Sequence, residues 1–402
     1  MDAMYVNGSS LVLAALVGVL APLLCEVPSR FRMPVVVLEV AFGIAVGPHL
    51  LRLAEPEGLV AALGYLGLVF LFFLAGMEID PKAVRGTPLS KATAGWFTSV
   101  AIAYAAALAL HAAGMIQSPL LTGAALTTTT IGTLLPILRD SGEMRTRFGT
   151  YVLATGIVGE LGPIVLVSIL FTREHKHWAQ TALMIVFVVV ALAAALVALR
   201  TNPPKFGELI SRTMEAASQL PVRIAILVLA VLVALAEKFG LDMILGAFAA
   251  GMVVGLASRG EQGALLRRKM DAIGFGFLVP MFFITSGMRF DLSALLHDAK
   301  ALSRVPLFLV LFLLVRGLPA LLYRNELAGR NRMALALYSA TALPLVIALT
   351  ELGVATGRMR SDNAAALVGA GLLSVLMFPT LALWLRRSVA VTESAETGVR
   401  GG

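Results

Sequence analysis

The sequence predicts an all-α integral membrane protein of about 13 transmembrane helices in two inverted-topology repeats, with two discontinuous helices that cross. Three observations lead to this fold class. The 402 residues are 58% hydrophobic and only 14% charged, which is too apolar for a soluble globular domain. Apolar runs long enough to cross a bilayer follow one another along the chain. Finally, two distant regions share residues at one constant spacing.

Runs of about 20 apolar residues predict the spans one by one. They cover residues 9–26, 34–50, 58–79, 91–113, 118–139, 146–171, 179–199, 219–236, 241–258, 266–288, 300–323, 332–355 and 362–387. Between the seventh and eighth spans, residues 200–218 carry apolar side chains at helical spacing. This favours an amphipathic helix on the membrane surface, with a polar linker as the alternative.

The distribution of basic residues predicts the orientation. With the N-terminus outside, the inner segments hold 22 Lys and Arg and the outer segments hold 9. An odd number of spans then places the C-terminus in the cytoplasm. The loop 289–304 fits least well, because it puts three basic residues outside. The first ten residues lack Lys and Arg, so the first span is expected to be a retained helix rather than a secretory signal.

Composition also excludes several classes of function. The basic residues are scattered over many loops and form no block, which argues against a nucleic-acid partner despite the net charge of +8. The single cysteine, Cys25, excludes an internal disulfide and a cysteine-based metal cluster. No nucleotide-binding loop or nucleophile elbow occurs. We therefore expect no cofactor and no enzymatic activity.

An internal repeat relates residues that are 211 positions apart. Phe72, Gly76, Met77 and Asp80 are matched by Phe283, Gly287, Met288 and Asp291, and Ala125, Leu126, Thr130 and Gly142 are matched by Ala336, Leu337, Thr341 and Gly353. The matched spans are seven apart, an odd number, so the two halves are expected to have opposite orientations. Inverted repeats are typical of secondary transporters.

Two matched spans contain residues that weaken a helix at its centre. The fifth span contains Thr127, Thr128, Thr129 and Thr130, followed by Gly132 and Pro136, and the twelfth contains Ser339, Ala340, Thr341, Ala342, Leu343 and Pro344. Proline removes a backbone donor, and threonine hydroxyls satisfy the backbone groups that a break exposes. Breaks at corresponding positions predict a site for a small cation where half-helices meet. The alternative is that these residues only kink packed helices.

Glu160 lies near the middle of the sixth span, among Gly156, Gly159 and Gly162. A charged side chain at this depth is costly, so it is a functional candidate. Burial favours the protonated form of a carboxylate and a bound cation favours the ionised form, so one carboxylate can hold either a proton or a cation. The glycines leave space for close helix packing or for an ion. A structural carboxylate paired with a buried base is the alternative.

Arg316 lies well inside the eleventh span and is the only basic residue so placed. It needs a partner, for which Glu160 is the obvious candidate. Because arginine essentially never loses its proton, it would supply a fixed positive charge. The alternative is that the side chain extends to the inner membrane surface. Glu39, inside the second span, is interpreted as structural.

Four further segments resemble the cation:proton antiporter superfamily, in the monovalent branch of bacterial sodium/proton antiporters and potassium efflux transporters. They are residues 38–43 (LEVAFG) with Gly47-Pro48, residues 72–80 (FFLAGMEID), residues 245–251 (LGAFAAG) and residues 280–288 (PMFFITSGM). The resemblance covers about residues 10–390 and implies the sodium/proton antiporter-like fold.

The resemblance also implies a homodimer built from two regions. Residues 9–80 and 219–290 would form the dimer region, and residues 91–171 and 300–387 a mobile core containing both broken helices. Residues 179–218 would link the two halves, and 388–402 would form a short polar cytoplasmic tail. Transport would proceed by movement of the core past the dimer region.

One departure from the family pattern concerns the sixth span. The family usually has two adjacent acids or Asn-Asp there, whereas this chain has Gly159-Glu160. Its basic residue in the eleventh span is often Lys in electrogenic members and Arg in electroneutral ones. Both features favour electroneutral exchange, and the missing Asp leaves the ion preference open.

The sequence therefore predicts an antiporter of the bacterial inner membrane that exchanges Na⁺ or K⁺ for protons. Glu160 would bind cation and proton in turn, with Gly159, Thr129, Thr130 and the carbonyls around Thr341 completing the site. Arg316 would compensate charge. The alternatives are an exporter of a larger cationic or ionophore-like substrate, a non-transporting ion sensor on the same fold, and an ion channel.

Overall fold

The computed structural model describes most of the chain as helices joined by short turns. The described residues are 8–26, 34–78, 86–131, 134, 138, 141–172, 213, 216, 218–239, 243–258, 260–292 and 299–399. No β-strand occurs in these ranges. Nine helical stretches in them are long and apolar enough to cross a membrane, and two shorter apolar helices accompany them. The all-α, multi-pass prediction is therefore confirmed.

The helices are numbered in chain order. They are α1 Gly8–Glu26, α2 Val35–Val46, α3 Gly58–Glu78, α4 Thr87–Ala112, α5 Pro119–Leu126, α6 Arg147–Thr172, α7 Leu220–Lys238, α8 Met243–Ala257, α9 Gly260–Ile273, α10 Val279–Arg289, α11 Ala299–Gly317, α12 Gly329–Ser339, α13 Pro344–Ala355 and α14 Ser361–Val399. A π-helical segment, Gly274–Leu278, joins α9 to α10, and 3₁₀-helical segments occupy Glu143–Arg145 and Leu318–Tyr323.

Several predicted boundaries differ from the observed ones. Helix α2 ends at Val46, before the Gly47-Pro48 turn, and is therefore shorter than the predicted span 34–50. The last helix continues to Val399, beyond the predicted end at 387, and residues 388–397 contain neither Pro nor Gly to end it sooner. The seventh span, 179–199, lies outside the described residues. So does the predicted surface helix 200–218, apart from positions 213, 216 and 218.

The two predicted interruptions are confirmed. Helix α5 ends at Leu126, residues 127–130 leave the helical conformation, and Ile131 is helical again. In the matched region α12 ends at Ser339, and α13 begins at Pro344 after four non-helical residues. We call residues 118–138 the first interrupted stretch and residues 329–355 the second.

Local chemistry explains where α5 begins and ends. The Ser118 hydroxyl accepts a hydrogen bond from the Leu121 N–H at 3.3 Å, and Pro119 occupies the first turn, where its missing N–H costs nothing. At the other end, the hydroxyls of Thr127 and Thr128 each donate at 2.8 Å to the carbonyls of Ala124 and Ala125. The hydroxyls thus take acceptors that a continuing helix would have used.

The chain divides into two compact units. The first unit comprises Met1–Ser29, Leu38–Asp80 and Ile164–Arg289, and the second comprises Arg30–Val37, Pro81–Pro163 and Phe290–Gly402. Both interrupted stretches belong to the second unit. The assignment of a dimer region and a mobile core stays a prediction.

Glycines bring helices of the first unit into backbone contact. A Cβ atom on Gly76 of α3 would overlap the Phe248 carbonyl of α8, and one on Gly251 of α8 would overlap the Phe73 carbonyl of α3. The repeat-related Gly287 of α10 lies in the same way against the Val40 carbonyl of α2. The family-like segments that contain these glycines are therefore packing motifs.

Gly251→Ala is expected to lower the free energy of unfolding by about 1–3 kcal/mol, because the added methyl group meets backbone that cannot move aside. Gly18→Ala is the matched control in the same unit, since its Cβ would meet only the Ile284 side chain, at 3.8 Å. Thermal unfolding in detergent checks both variants. Equal melting temperatures would contradict the packing role of Gly251.

Candidate functional site

The two interrupted stretches cross in the second unit and satisfy each other's backbone. The Thr130 N–H donates to the Thr341 carbonyl at 2.9 Å, and the Leu343 N–H donates to the Thr130 hydroxyl at 3.1 Å. Thr130 and Thr341 are the pair that the 211-residue repeat relates. Both are buried, with exposures of 5% and 0%. The crossing therefore occurs at the repeat-related position, and each break supplies partners that the other lacks.

Thr129 ties helix α6 to the crossing. Its N–H donates to the Gly159 carbonyl at 2.9 Å, and its hydroxyl donates to the Ser339 carbonyl at the end of α12. One residue thus connects the sixth predicted span with both interrupted stretches. Thr129, Thr130 and Gly159, which the sequence grouped with Glu160, do lie together.

Glu160 is buried beside the first break, with 7% of its surface exposed. Its Oε2 atom accepts a hydrogen bond from the Ile131 N–H at 3.3 Å. Ile131 is the residue at which the helix resumes, and N–H groups at the start of a helix are favourable partners for negative charge. The carboxylate is therefore held at the broken backbone, away from lipid and bulk water.

Arg316 is also buried at the crossing, with an exposure of 3%. Its Nε donates to the Thr129 hydroxyl at 2.9 Å and lies 3.4 Å from the Ser339 carbonyl. Its Nη1 donates to the Ser99 hydroxyl at 3.2 Å and its Nη2 to the Thr155 carbonyl at 3.3 Å.

These contacts decide between the two interpretations of Arg316. The guanidinium group turns into the crossing rather than extending to the surface. In the described part of the chain, its hydrogen-bond acceptors are hydroxyl and carbonyl oxygens of uncharged groups, not the carboxylate of Glu160. Arg316 therefore holds α4, α6, α12 and the first break together around the acid.

The three glycines around Glu160 make room for side chains. A Cβ on Gly159 would overlap the Arg316 guanidinium and come within 2.7 Å of the Thr129 hydroxyl. A Cβ on Gly162 would overlap the Trp96 indole, and one on Gly156 would lie 3.2 Å from the Ile131 side chain. The space that the sequence predicted for close packing or an ion is thus occupied in this structure by neighbouring groups.

Three residues of the site were not identified from the sequence, and a fourth was identified without its role. Ser99 and Trp96 come from α4, which contains no charged residue near its centre to mark it, and Thr155 contributes through its carbonyl. Ser339 was recognised as part of a break, but its role as a shared acceptor depends on tertiary contacts. Ser99 does not stand out in the sequence, because it follows Thr98 in an apolar span where hydroxyl residues are common.

Glu39 and His111 lie on elements other than the two breaks. Glu39 is buried in α2, with an exposure of 4%. The His111 ring lies 2.9 Å from the Ile116 carbonyl in the turn after α4. Within the described ranges, no group of three His, Cys, Asp or Glu residues has the arrangement of a metal site. The closely spaced His175 and His177 follow the sixth predicted span, are not expected from the sequence to bind a metal, and lie outside those ranges.

Comparison with known proteins agrees with this architecture. The family model described as the transmembrane region of sodium/hydrogen exchangers matches residues 11–385. The solved structure of the sodium proton antiporter MjNhaP1 from Methanocaldococcus jannaschii is similar, with a TM-score of 0.65 and 17% sequence identity. The similarity covers 94% of this chain and 97% of that one, and it confirms the antiporter-like fold that the resemblance implied.

Two similar relatives are bacterial transporters by name. The putative Na⁺/H⁺ antiporter YjbQ of Bacillus subtilis is 26% identical over 388 residues, which is 92% of this chain and 62% of that protein. The Na⁺/H⁺-K⁺ antiporter GerN of Bacillus cereus is 24% identical over 357 residues, covering 88% of this chain and 90% of that protein. This chain thus spans less than two thirds of the length of the Bacillus subtilis relative.

The match to the family model covers most of the chain and includes both interrupted stretches, α6 and Arg316. The chain is a multi-pass membrane protein that belongs to the sodium/hydrogen exchanger family.

Proposed function

We propose that this protein exchanges a monovalent cation for protons across the bacterial inner membrane, with Glu160 as the shared binding group. The observation that carries the proposal is the position of Glu160, a buried carboxylate beside a break in a membrane-spanning helix. An acid held there avoids the cost of burial by binding a proton or a cation. Because both ligands use the same oxygens, binding of one releases the other.

The oxygen atoms around Glu160 favour a small, hard cation. Thr129 and Thr130 contribute hydroxyl oxygens, and the carbonyls near Gly159, Thr341 and Ala342 line the same crossing. The ion would bind Glu160 and a subset of these oxygens while it is transported, as a substrate rather than a resident metal. The names of the relatives support Na⁺, and that of GerN supports K⁺ as well.

Arg316 supports electroneutral exchange. Its positive charge is fixed and already hydrogen-bonded to four residues, so it compensates negative charge near the empty site without carrying a proton. One carboxylate then trades one proton for one monovalent cation, and the net charge of the site is the same in both loaded states.

Transport would occur by alternating access, with the second unit as the mobile core and the first unit in a homodimer. Both interrupted stretches, Glu160 and Arg316 belong to the second unit. The N-terminus would be outside and the C-terminus in the cytoplasm.

Glu160→Gln is expected to abolish exchange, because an amide has nearly the same shape but cannot trade a proton for a cation. Folding and dimerisation should be retained, as judged by size-exclusion chromatography. The measurement is cation-dependent proton movement in proteoliposomes with a pH-sensitive dye, comparing Na⁺, K⁺, Li⁺ and Rb⁺.

Glu57→Gln is the control, since it makes the same chemical change at an exposed acid of the first unit. Full exchange by the Glu160→Gln protein would end the proposal. If the wild-type protein bound the cation without transporting it, an ion sensor would be favoured. Flux that needs no counter-ion would favour a channel. Competition by large organic cations would favour an exporter of larger substrates.

The exchange rate is expected not to depend on membrane voltage. If each cycle moved one net charge, a potential of 100 mV would change the driving force by about 2.3 kcal/mol. Clamping the voltage of the proteoliposomes with K⁺ and valinomycin, with Na⁺ as the exchanged ion, measures this dependence. A rate or an end-point that follows the imposed voltage would show that exchange is electrogenic.

Gly159→Ala is expected to slow exchange about tenfold, which corresponds to about 1.4 kcal/mol, because its methyl group displaces Arg316 and Thr129. Gly369→Ala is the control in the same unit, since its Cβ would only touch the Val305 side chain at 3.6 Å. The proteoliposome assay measures both. Unchanged exchange in the Gly159→Ala protein would show that the site does not depend on this close contact.

A further inference from the structure

Arg386 connects three segments at one end of the second unit. Its Nε donates to Glu143 Oε1 at 2.7 Å, and its Nη1 donates to Asn331 Oδ1 at 2.7 Å. The guanidinium carbon also lies 4.4 Å from the centre of the Phe148 ring. The Arg386 and Glu143 side chains are mostly buried, at 17% and 12% exposure. We call this group the Arg386 clamp.

Arg304 forms a similar group. Its Nη1 donates to Asp362 Oδ2 at 3.1 Å and to Asn363 Oδ1 at 2.8 Å, and the Asn363 amide donates to the Met115 carbonyl at 3.1 Å. The Arg304 and Asp362 side chains are 10% and 9% exposed. We call this group the Arg304 clamp. Buried charges that hydrogen-bond each other in this way are costly to separate, because the buried arginine would be left without its carboxylate.

The clamps hold opposite ends of the two interrupted stretches. The first stretch begins at Ser118, just after Met115 of the Arg304 clamp, and is followed by Glu143 of the Arg386 clamp. The second stretch begins at Gly329, beside Asn331 of the Arg386 clamp, and ends shortly before Asp362. The two stretches therefore run antiparallel between the same two clamps.

The packing between the stretches agrees with this arrangement. A Cβ on Gly353, near the end of α13, would lie 3.1 Å from the Leu121 side chain, near the beginning of α5. The Thr130–Thr341 contact lies near the middle of both stretches. The crossing is thus fixed at its centre by backbone hydrogen bonds and at both ends by an arginine.

We infer that Arg386 and Arg304 are positioning residues that keep the two interrupted stretches in register, so that the crossing moves as one rigid piece during transport. The inference rests on the proposed exchange at Glu160, which lies between the clamps. It assigns a role to residues remote from the acid. It also accounts for Arg304, which the sequence assigned to the outer loop 289–304 and the structure places in α11, because a buried, paired arginine serves the fold rather than the charge bias of the loops.

The test joins the Arg386 clamp covalently. In a Cys25→Ser background, Glu143→Cys and Arg386→Cys are introduced together and bridged with a short bifunctional maleimide. Without the bridge, the cation concentration for half-maximal exchange should rise about tenfold, because the oxygens at the crossing lose their register. With the bridge, it should return close to that of the background protein. Arg386→Lys, which keeps the positive charge, should raise the cation concentration for half-maximal exchange less than the unbridged double variant does.

A second measurement does not depend on transport. Arg386→Gln and Arg304→Gln should each increase hydrogen–deuterium exchange in peptides that cover residues 127–130 and 340–343. Arg147→Gln is the matched control, since this arginine pairs with Glu326 outside both clamps and its side chain is 69% exposed. The control should leave both peptides unchanged.

Two results would overturn the inference. Loss of exchange on bridging would show that the clamped ends must separate during transport, and unchanged deuterium uptake in the glutamine variants would show that the clamps do not order the crossing. If the wild-type protein itself showed no cation-for-proton exchange, the proposed function would fail. The deuterium comparison would still decide the role of the clamps.

Discussion

The structure depends on satisfying the backbone groups that two broken helices expose inside a membrane. In hydrocarbon no water is available, and each unpaired N–H or carbonyl costs several kcal/mol. The two breaks pair such groups with each other, since the Thr130 N–H donates to the Thr341 carbonyl and the Thr130 hydroxyl accepts from the Leu343 N–H. Neither break has these partners without the other. The position of Glu160 follows from the same contact, because its carboxylate takes the N–H at which the first stretch resumes as a helix.

Most of the fold could be predicted from the sequence because lipid imposes simple rules. Length and apolarity identify the spans, and threonine and proline mark both interruptions within a residue or two of their observed positions. What the sequence did not predict depends on neighbours rather than on local pattern. The π-helical segment Gly274–Leu278 occurs where Gly274 packs against Phe70 and Leu74 of α3, a contact that no periodicity in the segment itself reveals.

The charged residues of the candidate site could be predicted from the sequence, but their hydrogen-bond partners could not. Glu160 and Arg316 are conspicuous because a charge in an apolar span is rare. The sequence suggested that the two would pair, but Arg316 donates instead to Ser99, Thr155 and the Ser339 carbonyl. No sequence pattern marks these groups as its partners. The need for glycine at 159 is explained by Arg316, whose guanidinium fills the space that a side chain there would occupy. The difference from the usual Asn-Asp pair is therefore a difference in packing as well as in chemistry.

The 211-residue repeat also relates residues at the crossing. The two halves share the breaks in the backbone but not the charged side chains. The position equivalent to Glu160 is Gly371, at which a Cβ would lie 2.9 Å from the carbonyl of Ala342. Ala342 is in turn the equivalent of Ile131, whose N–H donates to Glu160. The equivalent of Arg316 is Ala105, a small residue in α4. Two identical halves would carry an acid at both 160 and 371, and two like charges at one crossing would repel each other. In this chain one half carries the acid and the other carries the base.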